Sequence, residues 1–134
     1  MEVTRPNQVW VSDITYIRTV KGFCYLALIT DMYSRKIVGH DLSDSLELNG
    51  CVRALDKALY QAKDSMTEEN HYYENAMAER VNGILKDEFY LDQVFTDATH
   101  AKRAAKNAIK LYNEIRLHLS LNYRTPNMVY KLTV

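Results

Sequence analysis

Two carboxylates draw attention because of where they sit. Asp13 interrupts the alternating apolar stretch Val9 to Ile17, and Glu79 lies in a helical stretch of about residues 73–89. A carboxylate inside an apolar strand is costly to bury unless it is paired or holds a cation. Its ordinary alternative is a place on the wet face of a sheet. The ordinary alternative for Glu79 is a solvent-facing helix position, paired across two turns with Lys86. A strand carboxylate and a helix carboxylate can converge only when the helix packs across the sheet.

The basic residues are the second chemical feature. Lys and Arg total 17 and Asp and Glu total 17, so the formal net charge is zero. The distribution is uneven. Residues 64–97 are acidic, whereas residues 98–134 carry Lys102, Arg103, Lys106, Lys110, Arg116 and Arg124 against the single acid Glu114. Such a block suits contact with phosphates, and it also suits a solvated helix face that balances the acidic one. The two cysteines, Cys24 and Cys51, read as small buried side chains in a reducing compartment. No Cys/His cluster suggests zinc. The longest apolar run, Phe23 to Ile29, is too short to span a bilayer, so no membrane partner is expected. The N-terminus has no apolar signal region, which makes a cytoplasmic location the default expectation.

The elements that must position these groups follow from periodicity. Val9 to Ile17 alternates as a strand with Val11, Asp13, Thr15 and Ile17 on one side. Phe23 to Ile29 is nearly all apolar, as in a strand covered on both faces. Lys36 to Leu42 is a third strand. The turns at Lys21-Gly22 and Tyr33-Ser34-Arg35 make the three an antiparallel meander. A helix follows over about 46–62, with Leu48, Val52, Leu55 and Leu59 as its apolar stripe. The helix over about 73–89 has Met77, Val81, Ile84 and Leu85 on one side and Asn75, Glu79, Asn82 and Lys86 on the other. A third covers about 97–119, with Ala104, Ala108, Leu111, Tyr112, Ile115 and Leu119 inward, and Pro126 can open a short last helix.

Three stretches in this order carry a family resemblance. They are Trp10-Val11-Ser12-Asp13-Ile14-Thr15-Tyr16, the helix from Glu74-Asn75-Ala76 through Glu79-Arg80 to Leu85-Lys86-Asp87-Glu88, and Tyr112-Asn113-Glu114-Ile115-Arg116-Leu117-His118 leading to Thr125-Pro126. Together with Asp31 to Gly39 and Ser65 to Asn70, they resemble the insertion-sequence transposases of the OrfB class, whose catalytic core is of the retroviral-integrase type. The resemblance spans Gln8 to Tyr130. It implies a ribonuclease H-like α/β fold and a role in DNA transposition and DNA integration. In that family three acids, Asp, Asp and Glu, hold two magnesium ions for phosphodiester chemistry. By resemblance Asp13 matches the first and Glu79 the last, as catalytic and metal-binding residues. Asn75 and Lys86 share the Glu79 stripe and would face the DNA or the mouth of the site. Lys102, Arg103, Lys106, Lys110 and Arg116 are the other DNA-contact candidates. Arg116 and His118 match the family's Arg-x-His, a pair that packing at the helix end explains equally well.

One segment departs from the pattern. The family's second Asp sits in a His-Ser-Asp-x-Gly motif on a fourth strand, and the chain here runs from Leu59-Tyr60-Gln61-Ala62-Lys63-Asp64 directly into Ser65-Met66-Thr67. The fourth strand, its Asp and the following helix are read as deleted in frame, and Asp64 lacks the motif around it. The N-terminal helix-turn-helix segment common in the family is likewise expected to be absent. The expectation is one domain over 1–134, with a ribonuclease H-like core over 1–97 and a basic helical segment over 98–134. The first strand should lose its neighbour, with Ser65 to Glu68 as the candidate substitute. Magnesium is expected at an incomplete site. The expected partners are DNA, meaning transposon ends and target, and a second copy or a full-length transposase. The expected activity is that of a catalytically defective core, or of a non-catalytic DNA-binding or transposase-binding module.

Overall fold

Strands β1 (Val9–Thr19), β2 (Gly22–Asp31) and β3 (Ile37–Ser43) form the antiparallel meander that the turn residues predict. The computed structural model describes residues 2–44, 48–62, 71–73 and 76–132. Gly22 takes φ 123° in the first turn, a conformation that favours glycine. In the second turn Arg35 has φ 65°, and the buried Asp31 carboxylate holds the chain there. It accepts from the Ser34 amide at 2.9 Å, the Ser34 hydroxyl at 2.6 Å and the Asn7 amide at 2.8 Å. Burial pushes the Asp31 carboxyl up, and these donors pull against that shift. The Asn7 side chain in turn accepts from Trp10 Nε1 at 3.2 Å and donates to the Tyr130 hydroxyl at 2.8 Å, so the N-terminal stretch is tied to the last helix.

The remaining elements are α1 (Leu48–Ala62), β4 (His71–Tyr73), α2 (Ala76–Glu88), β5 (Val94–Phe95), α3 (Ala98–Glu114), a single 3-10 turn (Leu119–Leu121) and α4 (Pro126–Leu132). The sheet order is β3-β2-β1-β4, with β5 also pairing to β1, and both short strands run parallel to it. One face of the sheet carries Ile17, Leu26 and Leu28, which pack with Val81 and Leu85 of α2 and Ile109 and Tyr112 of α3. The opposite face carries Trp10, Ala27, Ile29 and Val38, packed against Ala54, Ala58 and Ala62 of α1. This α/β layering is the fold class expected, and residues from before and after position 98 share the first of these clusters.

Three details differ from the sequence expectation. The buried stripe of α1 is Ala54, Ala58 and Ala62, whereas Val52 and Leu59 are 45% and 41% exposed. Gly39 is the reason: a Cβ there would lie 2.2 Å from the Ala54 carbonyl oxygen and 3.0 Å from the Ala58 Cβ. Helix and strand meet backbone to backbone, and only small residues fit. The side chain of Leu48 lies outside the described residues. Next, α3 stops at Glu114 and its C-cap is Ile115, so Ile115 and Leu119 are exposed instead of inward. Just beyond the cap the Arg116 guanidinium bonds to Glu88 at the end of α2. Last, β1 does not wholly lose its neighbour: a short fourth strand, His71–Tyr73, pairs in parallel with Val9 to Val11, while the predicted substitute, Ser65 to Glu68, lies outside the described residues.

Candidate functional site

Asp13 sits at a gap in the sheet. Antiparallel pairing sets it opposite Leu28, on the face covered by α2 and α3. On its other side β1 is only partly covered. Among the described residues, β4 pairs with Val9, Trp10 and Val11 and β5 with Arg18 and Thr19, leaving Ser12 to Ile17 without a strand neighbour there. The Asp13 carboxylate works within this opening. Its Oδ1 accepts from the backbone amide of Ile14 at 2.9 Å, and its Oδ2 accepts from the carboxamide of Asn82 on α2. Asn82 is 6% exposed, and its own Oδ1 is buried without a hydrogen-bond partner. An unpaired buried carbonyl oxygen is unusual and carries a desolvation cost.

Glu79 lies one helical turn before Asn82. Residues three apart on a helix are neighbours, with Cβ atoms ~5–6 Å apart. The fold thus brings the helix face that bears Glu79 against the strand that bears Asp13, with Asn82 as the point of contact. Glu79 itself is exposed, and among the described residues it makes no ion pair. Arg80 and Asp87 line the same surface depression as Glu79, and Lys86, partly buried, lines the next one along α2. Asn75 and Asp64 lie outside the described residues.

Could these groups hold magnesium? The donors are oxygens of the right kind, but among the described residues no three acids come together. Asp13 is engaged by the Asn82 carboxamide and a backbone N–H. The described groups therefore do not make up the two-ion centre that the resemblance implies.

The basic candidates fall elsewhere. Lys102, Arg103, Lys106 and Lys110 are exposed along α3. Lys106 and Lys110 flank the outer side of β3, at the opposite edge of the sheet from the β1 gap. Arg116 is committed within the fold. It donates to Glu88 through Nε at 3.0 Å and through a terminal nitrogen at 2.9 Å, and it reaches the Leu117 carbonyl at 3.0 Å. These bonds hold the Glu88 carboxyl below the usual glutamate range. Beside it His118 is 4% exposed, its ring edge-on to Tyr112, and burial together with Arg116 lowers its pKa to about 4. A neutral, packed imidazole fits the structural reading of the Arg-x-His pair.

Two residues that matter to this arrangement carry no chemical signal in the sequence. Asn82 reads there as a member of the polar stripe of α2. Its spacing of three from Glu79 could have raised it, but its burial depends on how α2 sits on β1. Asn113 is the other. Its carboxamide accepts from the Ile37 amide at 2.9 Å and donates to the Ile37 carbonyl at 3.0 Å, taking the place of a strand beside β3.

A family model described as integrase core domain matches residues 60–126. Over 93% of its length the chain is 31% identical to the transposase for insertion sequence element IS904 of Lactococcus lactis. Over 91% it is 29% identical to the transposase for IS629 of Shigella sonnei. The matches cover 62% and 51% of those two proteins, so the chain spans about half to three-fifths of their length. The IS904 match runs over 156 residues and the chain has 134, so that transposase has residues with none opposite them here. Among solved structures, the fold is similar to the HTLV-2 integrase catalytic core domain in complex with magnesium, with TM-score 0.72 and 16% identity over 96% of this chain and 99% of that one. It is also similar to the simian T-cell lymphotropic virus intasome in complex with PP2A regulatory subunit B56 gamma, with TM-score 0.70 and 16% identity over 96% of this chain and 57% of that one.

Proposed function

This chain belongs to the integrase core domain family, alongside the transposases of insertion sequences, and from that premise we propose that it is a DNA-contacting transposition core that does not complete strand transfer on its own. The observation that carries the reading is the meeting of β1 and α2 at Asp13 and Asn82, one turn from Glu79. Two of the three acids that the family resemblance calls for belong to elements in contact. The sequence has no His-Ser-Asp-x-Gly segment to supply the third. Asp13 and Glu79 would be the oxygen donors toward magnesium, the ion named with the HTLV-2 core. With that set incomplete, no chemical step is assigned to it. The basic residues of α3 support phosphate contact, and a second copy or a full-length transposase is the partner class that could contribute missing carboxylates in an assembly.

The test is a nicking and strand-transfer assay on labelled duplex DNA with magnesium, run on the wild-type chain and on Glu79→Ala. The expected result is no product above the Glu79→Ala background, together with salt-dependent retention of the duplex. Magnesium-dependent cleavage that disappears in Glu79→Ala would overturn the non-catalytic reading.

A further inference from the structure

β3 ends the sheet on one side, and an edge strand offers unpaired backbone groups. Here side chains finish it. Asn113 takes both backbone groups of Ile37, and the Lys57 ammonium donates to the His40 carbonyl at 3.0 Å. Outside these contacts a groove of about 410 Å³ runs along the edge, between α1 and α3. Lys36 enters it from the turn just before β3, Lys57 from α1, and Lys106 and Lys110 from α3. Glu114 is the one carboxylate in its lining.

The charges here are poorly compensated. Lys57 lies 3.8 Å from Asp41, which already holds Arg53 at 3.0 Å. Among the described residues Lys36, Lys106 and Lys110 form no ion pair, and Lys36 sits instead 4.2 Å over the Tyr130 ring. In a chain of zero net charge, lysines from three elements converge while the acids concentrate in another stretch. Like charges gathered this way repel one another, and an anion in the groove relieves that repulsion. Lysines also protect edge strands against pairing with other chains, but that role needs no convergence from three elements.

We propose that this edge groove binds the phosphate backbone of DNA, as a contact separate from the Asp13 gap at the other edge of the sheet. The proposal rests on the reading of the chain as a DNA-contacting core and adds Lys36 and Lys57 to the α3 lysines. Phosphate contacts of this kind read no sequence, and they register and orient the duplex.

The test is fluorescence-anisotropy binding of a labelled DNA duplex across a salt series. It compares the wild-type chain, Lys36→Ala/Lys57→Ala, Lys36→Ala/Lys57→Gln (which keeps a neutral donor to the His40 carbonyl), and Lys21→Ala in the first hairpin turn as a single-charge control away from the groove. Thermal melting verifies folding of each. Both double variants are expected to lose roughly tenfold or more in affinity at low salt. The slope of log K against log salt should fall by about two, since each neutralised phosphate contributes about 0.9. Lys21→Ala should stay within about twofold. Wild-type binding that the double variants leave unchanged overturns the groove and leaves the DNA-contacting core standing. Tighter binding of RNA of the same length also overturns it. Absence of DNA binding by the wild-type chain overturns both readings.

Discussion

At the β3 edge the outward groups of Ile37 are taken by the carboxamide of Asn113, the His40 carbonyl by Lys57, and Gly39 lets α1 pack backbone against backbone. At the β1 edge, β4 covers Val9 to Val11, β5 covers Arg18 and Thr19, and the stretch between them is finished locally by the Asp13 carboxylate on the Ile14 amide. The first edge is closed by contacts between distant segments, buried at Asn113 and exposed at Lys57. The second keeps an acid and an unpaired amide oxygen, which costs stability. Such costs are kept where chemistry is, or once was, performed. Beside β1 the described residues supply two short parallel strands with an opening between them, and the orphan oxygen of Asn82 lies at that opening.

Substitutions should separate the two edges, with the largest losses at β3. Gly39→Ala forces a methyl against the Ala54 carbonyl and is expected to cost ~4 kcal/mol or prevent folding, as read by urea denaturation. Asn113→Ala leaves both buried backbone groups of Ile37 unmatched and should cost roughly 2–3 kcal/mol in the same measurement. The third effect is one of acid. Burial, with Lys57 close by, holds the His40 pKa at about 4 against an ordinary 6.5. The unfolded chain takes up this proton first, so the stability is complete above pH 6.5 and lost as pH falls toward 4. His40→Asn should flatten the fall of the urea midpoint between pH 7 and pH 4.5, and an identical slope in both proteins would remove His40 from the account. Smallest should be Asn82→Leu at the β1 edge. It gives up one hydrogen bond but also removes a buried orphan oxygen, so a change under about 1 kcal/mol is expected. A loss there as large as that of Asn113→Ala would erase the contrast between the edges.

The legible parts were those carried by short stretches of chain. The alternation through Asp13, the apolar run of β2 and the turn at Gly22 predicted the meander, and Val81, Ile84 and Leu85 predicted the inner face of α2. The inner face of α1 was misread because periodicity weights large apolar residues. The determining residue, Gly39, is on another element, and it selects Ala54 and Ala58 over Val52 and Leu59. Extending α3 to Leu119 followed the apolar pattern through Ile115. The helix ends earlier, at Glu114, and Arg116 just past its cap bonds to Glu88, 28 positions away. Asp13 and Glu79 were legible as acids in unusual places. The Asn82 that joins their two elements was not, since nothing about an asparagine on a polar stripe announces burial.

By itself, then, the sequence determined which segments become strands and helices, the family resemblance, the segregation of acidic from basic residues, and the absence of the motif that bears the second Asp. Those properties depend on side-chain type and on neighbours a few positions away. Tertiary structure decided that Asp13 lies in a gap of the sheet against Asn82, that Arg116 is spent on Glu88, and that Lys36 and Lys57 join Lys106 and Lys110 around one groove. Each of these is a relation between surfaces remote in the chain. The packing of helices on a sheet sets it, and no local pattern encodes which remote partner a side chain will meet.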